Sequence, residues 1–410
     1  MKGRSNLEYR QTRWRLSPTI VVVMTIFIDV TGFGIILPLL PFYAETFQAG
    51  STALGVMIAS FSIMQFIFSP ILGRISDNIG RKPVLLISIT ISVASFILFA
   101  TANSFLLLLI SRIIAGMATE TAVAQAYIVD ITNEKERAKG IGKVGAAHGA
   151  GFIIGPVISG FLSVYGFSIP GFAAAALALM NLLFVLFFLP ESLDRSQSGG
   201  QTEVDSNFGY LRKLARALST PVTGAVLVIF FIVFLAFSAI PVIVPLLGIS
   251  FFGFGSVEMS YFFVYIGIIQ IASQGFVIGR LVNKFGEEKL MMLGPLLMVI
   301  GMFLMPLIPS IVVFLASITM ISFGSGIMRT IVPSFISKRG SVNERGGILG
   351  VTQSVASIAQ IPGPLIGGFI FEAAGLAAPF LLSSALGAFA FGLGCRVFQT
   401  CGRIGFKTNT

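Results

Sequence analysis

The sequence predicts an all-α integral membrane protein in which twelve transmembrane helices form two pseudo-symmetric six-helix bundles. Three observations predict this fold: the composition, a series of apolar runs of helix-spanning length, and an alternating placement of basic residues. Of the 410 residues, 55% are apolar and 11% are charged, whereas a soluble domain carries about 25% charged residues. With a mean hydropathy of +0.94, the chain has the composition of a protein embedded in lipid.

Apolar runs of about 20 residues, the length needed to cross the hydrocarbon core, recur along the whole chain. Each is expected to be a helix, because a spanning backbone must satisfy its own hydrogen bonds. We number the predicted spans 1 to 12: 18–42, 51–72, 84–102, 105–129, 141–164, 170–189, 222–246, 258–279, 290–308, 311–335, 347–370 and 376–397.

The spans divide the chain into domains. Residues 1–189 hold spans 1 to 6 as an N-terminal bundle, and residues 222–410 hold spans 7 to 12 as a C-terminal bundle. Residues 190–221 are predicted to be a cytoplasmic linker. The end of this linker, FGYLRKLARAL, has the pattern of an amphipathic helix lying on the membrane surface.

The basic residues orient the bundle. Of 27 Lys and Arg residues, all except Arg112 and Arg329 fall in seven segments that lie on one side of the twelve-span arrangement. This positive-inside pattern predicts a multi-pass protein of the cell membrane with both termini in the cytoplasm. We therefore attribute the net charge of +10 to orientation and to contact with anionic lipids, and not to nucleic acid.

An internal repeat relates the two halves. Residues 136–161, ERAKGIGKVGAAHGAGFIIGPVISGF, recur at 344–369 as ERGGILGVTQSVASIAQIPGPLIGGF, with a constant shift of 208. The string GRISDNIGRK at 73–82 has an echo, GRLVNKFGEE, at 279–288. Parallel repeats of this kind are typical of transporters that bind substrate between two halves and rock one half against the other.

The string at 73–82 lies between spans 2 and 3 and predicts a tight, charged turn. It resembles the loop signature G-x-x-x-D-x-x-G-R-[KR] of the major facilitator superfamily. The matching residues are Gly73, Asp77, Gly80, Arg81 and Lys82. The resemblance implies that Asp77 attracts the amino end of span 11 and that Arg81 pairs with an acid at the inner end of span 4, here Asp130. Such contacts would close the cytoplasmic side.

Other motifs are similar to those of the drug/proton antiporter branch. In span 5, Gly151, Gly155, Pro156 and Gly160 follow the exporter motif G-x-x-x-G-P-x-x-G-G, with Ser159 in place of one glycine. The string around Arg112 resembles the span 4 motif R-x-x-x-G. Spans 1 and 4 also resemble tetracycline/proton antiporters, although span 9 lacks the acidic residue of that subgroup.

In the second half, the polarity of the gate is expected to be reversed. Glu287 and Glu288 stand where the signature has Arg81 and Lys82, and the shift of 208 puts Lys338 at the position of Asp130. An ion pair between the inner ends of spans 9 and 10 is one interpretation. The other is that Lys338 only adds to the positive-inside charge.

Ionisable residues at bilayer depth are costly and usually functional. Asp29 lies about eleven residues, or about 16 Å, into span 1, Arg112 and Glu120 lie in span 4, and Arg329 lies in span 10. Burial disfavours the charged form of a carboxylate and a nearby cation favours it, so a buried carboxylate can exchange a proton for a cationic substrate. The alternative for Asp29 and Glu120 is a purely structural pairing.

These features predict a secondary transporter, and not an enzyme, that exports small amphiphilic compounds in exchange for protons by alternating access. We expect a monomer in contact with membrane lipids, with protons as the coupling ion and with no cofactor or metal. Two alternatives remain open at this point. One is a proton-coupled carrier of an organic anion or metabolite anchored by Arg329, and the other is a receptor or scaffold that transports nothing. A pair between Glu120 and Arg329 would favour the exporter, and an unpaired Arg329 in the cavity would favour the anion carrier.

Overall fold

The computed structural model describes residues 16–192, 219–337 and 345–403, and in these ranges the chain is helical with short connections. The predicted linker lies almost entirely outside the described residues. The helices are α1 (Pro18–Ile36), α2 (Leu40–Thr46), α3 (Ser51–Ile79), α4 (Arg81–Ala100), α5 (Phe105–Met117), α6 (Glu120–Ile131), α7 (Glu134–Ser163), α8 (Ser168–Phe188), α9 (Pro221–Ser238), α10 (Ile240–Phe252), α11 (Ser256–Ala272), α12 (Ile278–Phe285), α13 (Glu287–Leu304), α14 (Ile311–Ser337), α15 (Arg345–Ala359), α16 (Pro362–Ala374) and α17 (Ala378–Arg403).

Helix is present at all twelve predicted spans. Eleven stretches of the described chain are long and apolar enough to cross a membrane. Span 9 is α13, Glu287–Leu304, which has 18 residues and begins with two acids. Large apolar side chains such as Phe161 and Phe187, each 74% exposed, cover the outside of the bundle. This surface suits lipid, as the composition predicts.

Five spans consist of two helical segments, which the apolar runs do not reveal. Span 1 changes from α1 to α2 through a 3₁₀ turn at Leu37–Leu39, which contains Pro38. Span 11 breaks before Pro362, which begins α16, because proline lacks a backbone donor and disfavours helix in the preceding residue. In the repeat, Pro362 stands where span 5 has Ile154, and α7 runs unbroken through Pro156.

The other breaks have different causes. Span 7 changes from α9 to α10 at Ala239, two residues before Pro241. Span 8 contains a π-helical segment, Ser273–Val277, between α11 and α12. Span 4 breaks between α5 and α6 without any proline. Broken helices at bilayer depth are found where the backbone lines a cavity or is buried in protein.

The two ends of the bundle differ. We call the end that carries the turns at Gly80 and Gly286 the basic end, and the other the opposite end. One apolar core extends across both halves and includes Leu54 of α3 and Val242 of α10. A second core, which includes Val84 and Tyr127, belongs to the first half alone and lies toward the basic end. The halves therefore share a core only away from the basic end.

Spans 5 and 8 show the same asymmetry. Toward the opposite end, Ser256 Oγ donates a hydrogen bond of 2.9 Å to Ser163 Oγ, and a Cβ on Gly149 would lie 3.1 Å from Ile271 Cγ1. Toward the basic end, no described atom lies within 4 Å of a Cβ built on Gly145 or Gly275. The described bundle is thus closed at the opposite end, and its spans 5 and 8 separate toward the basic end.

Candidate functional site

Two carboxylates lie together inside the first half. Glu120 is 2% exposed, and its Oε1 accepts a hydrogen bond of 2.8 Å from Ser92 Oγ of α4. Asp29 of α1 is half-buried and close enough to Glu120 for the two carboxylates to interact electrostatically. Because two negative charges at bilayer depth repel each other, a proton on one of them stabilises the pair.

The break in span 4 places Glu120 at the start of a helix. Helix α5 ends at Met117, and Thr119 has the non-helical backbone angles φ −129° and ψ 60° before α6 begins at Glu120. A helix amino end at bilayer depth favours an anion. The sequence contained a signal for this break, since a threonine followed by an acid is a common pattern at a helix amino end.

The structure does not bring Arg112 into an ion pair. Its side chain is 2% exposed, and among the described residues no Asp or Glu oxygen lies within 4.0 Å of it. Its guanidinium carbon lies 4.9 Å from the ring centroid of Phe99, and its Nε reaches Ser111 Oγ at 3.4 Å. Its Nη2 is buried without a hydrogen-bond partner in the described part of the chain.

A second cation, Arg329 of α14, lies in the other half. Its side chain is exposed, and its guanidinium carbon lies 5.0 Å above the ring centroid of Phe234, a cation–π contact. His148 of α7 is also exposed and lies within electrostatic range of Arg329. Within the described ranges, Arg329 has no carboxylate at ion-pair distance, so the pair with Glu120 is not formed in this conformation.

The span 5 glycines pack against two different neighbours. A Cβ on Gly151 would lie 2.8 Å from Phe27 O, and a Cβ on Gly155 would lie 2.7 Å from Gly34 Cα, so both admit span 1 of the same half. Gly160 instead faces span 8 across the halves, where a Cβ would lie 2.9 Å from Ser260 Cβ. Only the last of these three glycines lies in the seam between the halves.

The signature string is mostly helix and not loop. Helix α3 continues to Ile79, and only Gly80, with φ +113°, separates it from α4. In the second half, Gly286 with φ +80° has the same role between α12 and α13. Both turns need glycine, because side-chain-bearing residues rarely adopt a positive φ. The expectation of a turn over the whole string at 73–82 is therefore wrong: the turn is one residue long.

Arg81 joins three helices at this turn. Its Nε donates a hydrogen bond of 2.9 Å to Asp130 Oδ2 at the end of α6, the pairing that the family resemblance implied. Its Nη1 lies 2.6 Å from Asp77 Oδ1 and 2.6 Å from Ser76 Oγ. Asp77 is 59% exposed. Its expected partner, the amino end of span 11, adjoins residues outside the described ranges.

Glu191 is a member of this cluster that sequence analysis missed. Its carboxylate accepts hydrogen bonds from the backbone N–H groups of Arg81 at 2.8 Å and Lys82 at 3.1 Å, and so caps α4. A Cβ on Gly80 would lie 2.8 Å from the Glu191 carboxyl carbon. The adjacent Ser192 Oγ donates to Asp130 Oδ2 at 3.2 Å. The start of the linker is thus attached to the signature turn.

We expect Glu191→Gln to lower the apparent melting temperature of the purified protein by a few degrees, because loss of a helix cap costs about 0.5–2 kcal/mol. An amide presents only one acceptor oxygen, so one of the two N–H groups loses its partner. Glu288→Gln is the matched control, since Glu288 is an exposed acid in the first turn of α13. Equal melting temperatures for the two variants would contradict the capping role.

In the second half, the predicted gate lies only partly within the described residues. Ser334 Oγ of α14 donates a hydrogen bond of 2.7 Å to Glu287 Oε1, which joins the inner ends of spans 9 and 10. Glu288 is exposed. Lys338 lies outside the described residues, so an ion pair with Glu287 stays a prediction.

Comparisons with known proteins agree with this architecture. A family model described as Major Facilitator Superfamily matches residues 22–361 and 271–400. The chain is 30% identical over 358 residues to "Multidrug resistance protein 2" of Bacillus subtilis (strain 168), covering 86% of this chain and 88% of the relative. It is 32% identical over 357 residues to "Tetracycline resistance protein, class E" of Escherichia coli, covering 86% and 87%.

A solved structure with a similar fold is that of the human organic anion transporter MFSD10 (TETRAN). Its TM-score is 0.68 at 25% sequence identity, and the match covers 92% of this chain and 98% of that one.

Proposed function

The chain belongs to the Major Facilitator Superfamily, and we propose that this transporter exports small amphiphilic compounds in exchange for protons by alternating access. It is a multi-pass membrane protein and not an enzyme. The observation that carries the coupling proposal is the buried Glu120 in electrostatic contact with Asp29. Two interacting carboxylates can hold a proton in one state and release it in another.

Several features support the details of the proposal. The relatives named for multidrug and tetracycline resistance support export of amphiphilic compounds. The positive-inside rule supports a cytoplasmic position for the basic end and for both termini in the cell membrane. In this orientation the described conformation opens toward the cytoplasm, where an exporter loads its substrate. We propose a monomer in contact with membrane lipids, because large apolar side chains cover the outside of the bundle.

The test is proton-driven transport in proteoliposomes that contain only the purified protein. An imposed pH gradient should drive accumulation of a fluorescent cationic amphiphile, and a protonophore should abolish that accumulation. Substrate movement should in turn produce a measurable proton flux in the opposite direction. If no cationic, neutral or anionic compound responds to the pH gradient, proton exchange is the wrong mechanism.

A second candidate function is transport of an organic anion. Arg329 is exposed, stacks on Phe234 and has no carboxylate within 4.0 Å among the described residues. His148 beside it can add a second donor. One of the similar structures is that of an organic anion transporter. A receptor or scaffold that transports nothing finds no comparable support, since the family consists of transporters.

Arg329→Gln separates the two candidates. If the substrate is an anion, the variant should lose anion transport by about tenfold or more, because a hydrogen bond to a charged group contributes about 1.5–3 kcal/mol. Transport of cationic amphiphiles should persist or increase. Arg280→Gln is the control, since the exposed Arg280 bonds to Phe276 O of its own span at 3.2 Å. Unchanged anion transport in Arg329→Gln would exclude this anchor.

A further inference from the structure

Spans 2 and 11 meet at the opposite end through a carboxylate placed on a helix amino end. Glu372 of α16 accepts a hydrogen bond of 3.1 Å from the backbone N–H of Thr52, in the first turn of α3. Ser51 Oγ of the same turn donates 2.9 Å to Gly368 O of α16. Both bonds cross from one half of the protein to the other.

Small residues make this approach possible. A Cβ on Gly50, the residue before α3, would lie 2.7 Å from Glu372 Oε2, so a larger residue would displace the carboxylate. A Cβ on Gly55 would collide with Pro364 O, and a Cβ on Gly368 would collide with Ser51 O. The backbones of α3 and α16 are therefore in direct contact, and the Glu372 carboxylate lies at the edge of this contact.

The charge distribution gives Glu372 few other partners. In the twelve-span arrangement, none of the 27 Lys and Arg residues falls in a loop at the opposite end. The free N–H groups at the start of α3 carry a partial positive charge, which attracts an anion. At the basic end, acids pair with a basic side chain such as Arg81. At the opposite end, Glu372 instead bonds to a backbone N–H group at the start of α3.

The same two helices carry a second acid at their other ends. Helix α3 runs toward the basic end and has Asp77 in its last turn, whereas span 11 runs the other way and has Glu372 near its end. The loop signature implies that Asp77 faces the amino end of span 11 when the basic end closes. In the described conformation Asp77 is 59% exposed and pairs with Arg81, while Glu372 is engaged.

We propose that Glu372 is the latch of the opposite end, which holds the transporter closed on that side and opens when Asp77 engages span 11 at the basic end. Spans 2 and 11 are antiparallel, so each would place a carboxylate, Asp77 or Glu372, at the amino end of the other. One of these two contacts would be formed in each conformational state. This proposal rests on the alternating-access part of the proposed function, and it does not depend on which substrate or ion is carried.

The test is a distance distribution at the opposite end, measured by pulsed electron paramagnetic resonance without substrate or pH gradient. Spin labels go on Thr101→Cys and Ile308→Cys, which are exposed and lie in different halves, after Cys395 and Cys401 are replaced by serine. Glu372→Gln should raise the ratio of the long-distance, open population to the closed one by about two- to tenfold, the range expected for loss of a charged cap.

Glu258→Gln is the matched control. Glu258 is also an acid at a helix amino end on this side, but its Oε2 accepts from Gly255 N at 3.0 Å within its own half. It should leave the distribution unchanged. The double variant Asp77→Asn/Glu372→Gln, which weakens both latches, should return the ratio toward that of the unaltered protein.

An unchanged distribution in Glu372→Gln, or an equal shift in Glu258→Gln, would overturn the latch. Because this measurement uses no substrate, its failure is distinct from failure of the proposed function. A latch that fails here while proteoliposomes still couple export to protons leaves the function intact. If Glu372→Gln shifts the distance distribution but no proton gradient drives transport, the latch is supported and proton coupling is excluded.

Discussion

Asp29→Asn and Glu120→Gln should each leave a folded protein, and at least one of them should reduce proton-driven accumulation to the level of liposomes without protein. The physical reason is that an amide has nearly the shape of a carboxylate but cannot take up and release a proton near neutral pH. Downhill substrate exchange needs no proton turnover, so a variant that loses coupling alone should still catalyse substrate counterflow.

The geometry adds a second expectation for this pair. Since Asp29 and Glu120 interact electrostatically, their effects should not be additive. The double variant should couple no worse than the more severe single variant. Glu45→Gln is the control, because Glu45 is an exposed acid of α2, just beyond the end of span 1, which carries Asp29. Normal coupling in both single variants would mean that another group carries the proton.

The fold could be predicted from the sequence because lipid imposes a strong constraint. A span must be about 20 apolar residues and must be helical, so helix is present at each of the twelve spans that hydropathy predicts. The residues at which individual helices begin and end were less predictable. Helix α3 extends seven residues beyond the apolar run, to Ile79, and α7 begins at Glu134, since polar residues at the membrane surface continue a helix that apolar residues began.

The internal breaks could be predicted only where a proline or a capping pattern marks them. Pro38, Pro241 and Pro362 mark three breaks, and Thr119 before Glu120 marks a fourth. The π-helical segment Ser273–Val277 has no comparable mark. Hydropathy reports how deep a residue lies and does not report whether the helix through it is continuous, because continuity depends on packing against other spans.

Some residues of the candidate site could likewise be predicted from the sequence, and others could not. Charge at bilayer depth made Asp29, Arg112, Glu120 and Arg329 candidates without a structure, because few other roles justify the cost of placing an ionisable group there. Glu191 could not be found by that argument, since an acid at the membrane surface is common. Its role follows only from the return of span 6 to the amino end of α4, which is a tertiary contact.

Asp77→Asn should shift the protein toward the conformation that is open at the basic end, and should lower the transport rate by about tenfold while expression stays normal. A carboxylate at a partly buried helix amino end contributes up to about 2 kcal/mol, and 1.4 kcal/mol changes a population ratio tenfold. In the described conformation Asp77 is held by Arg81 and is largely exposed, so the substitution should destabilise the closed state of the basic end more than this one.

Accessibility of a cysteine introduced at Gly145 measures the shift. No described atom lies within 4 Å of a Cβ at Gly145 in the conformation that is open at the basic end, and closure of spans 5 and 8 at that end should cover the site. A water-soluble maleimide should therefore label Gly145→Cys faster when Asp77→Asn is also present. Gly392→Cys is the control, since Gly392 is equally open and lies in span 12.

If the Gly145 labelling rate and the transport rate both stay unchanged, Asp77 does no more than pair with Arg81 at the turn. If Arg81→Lys also leaves transport intact, the fork of hydrogen bonds from Arg81 to Asp130 and Ser76 stabilises the first half without gating it.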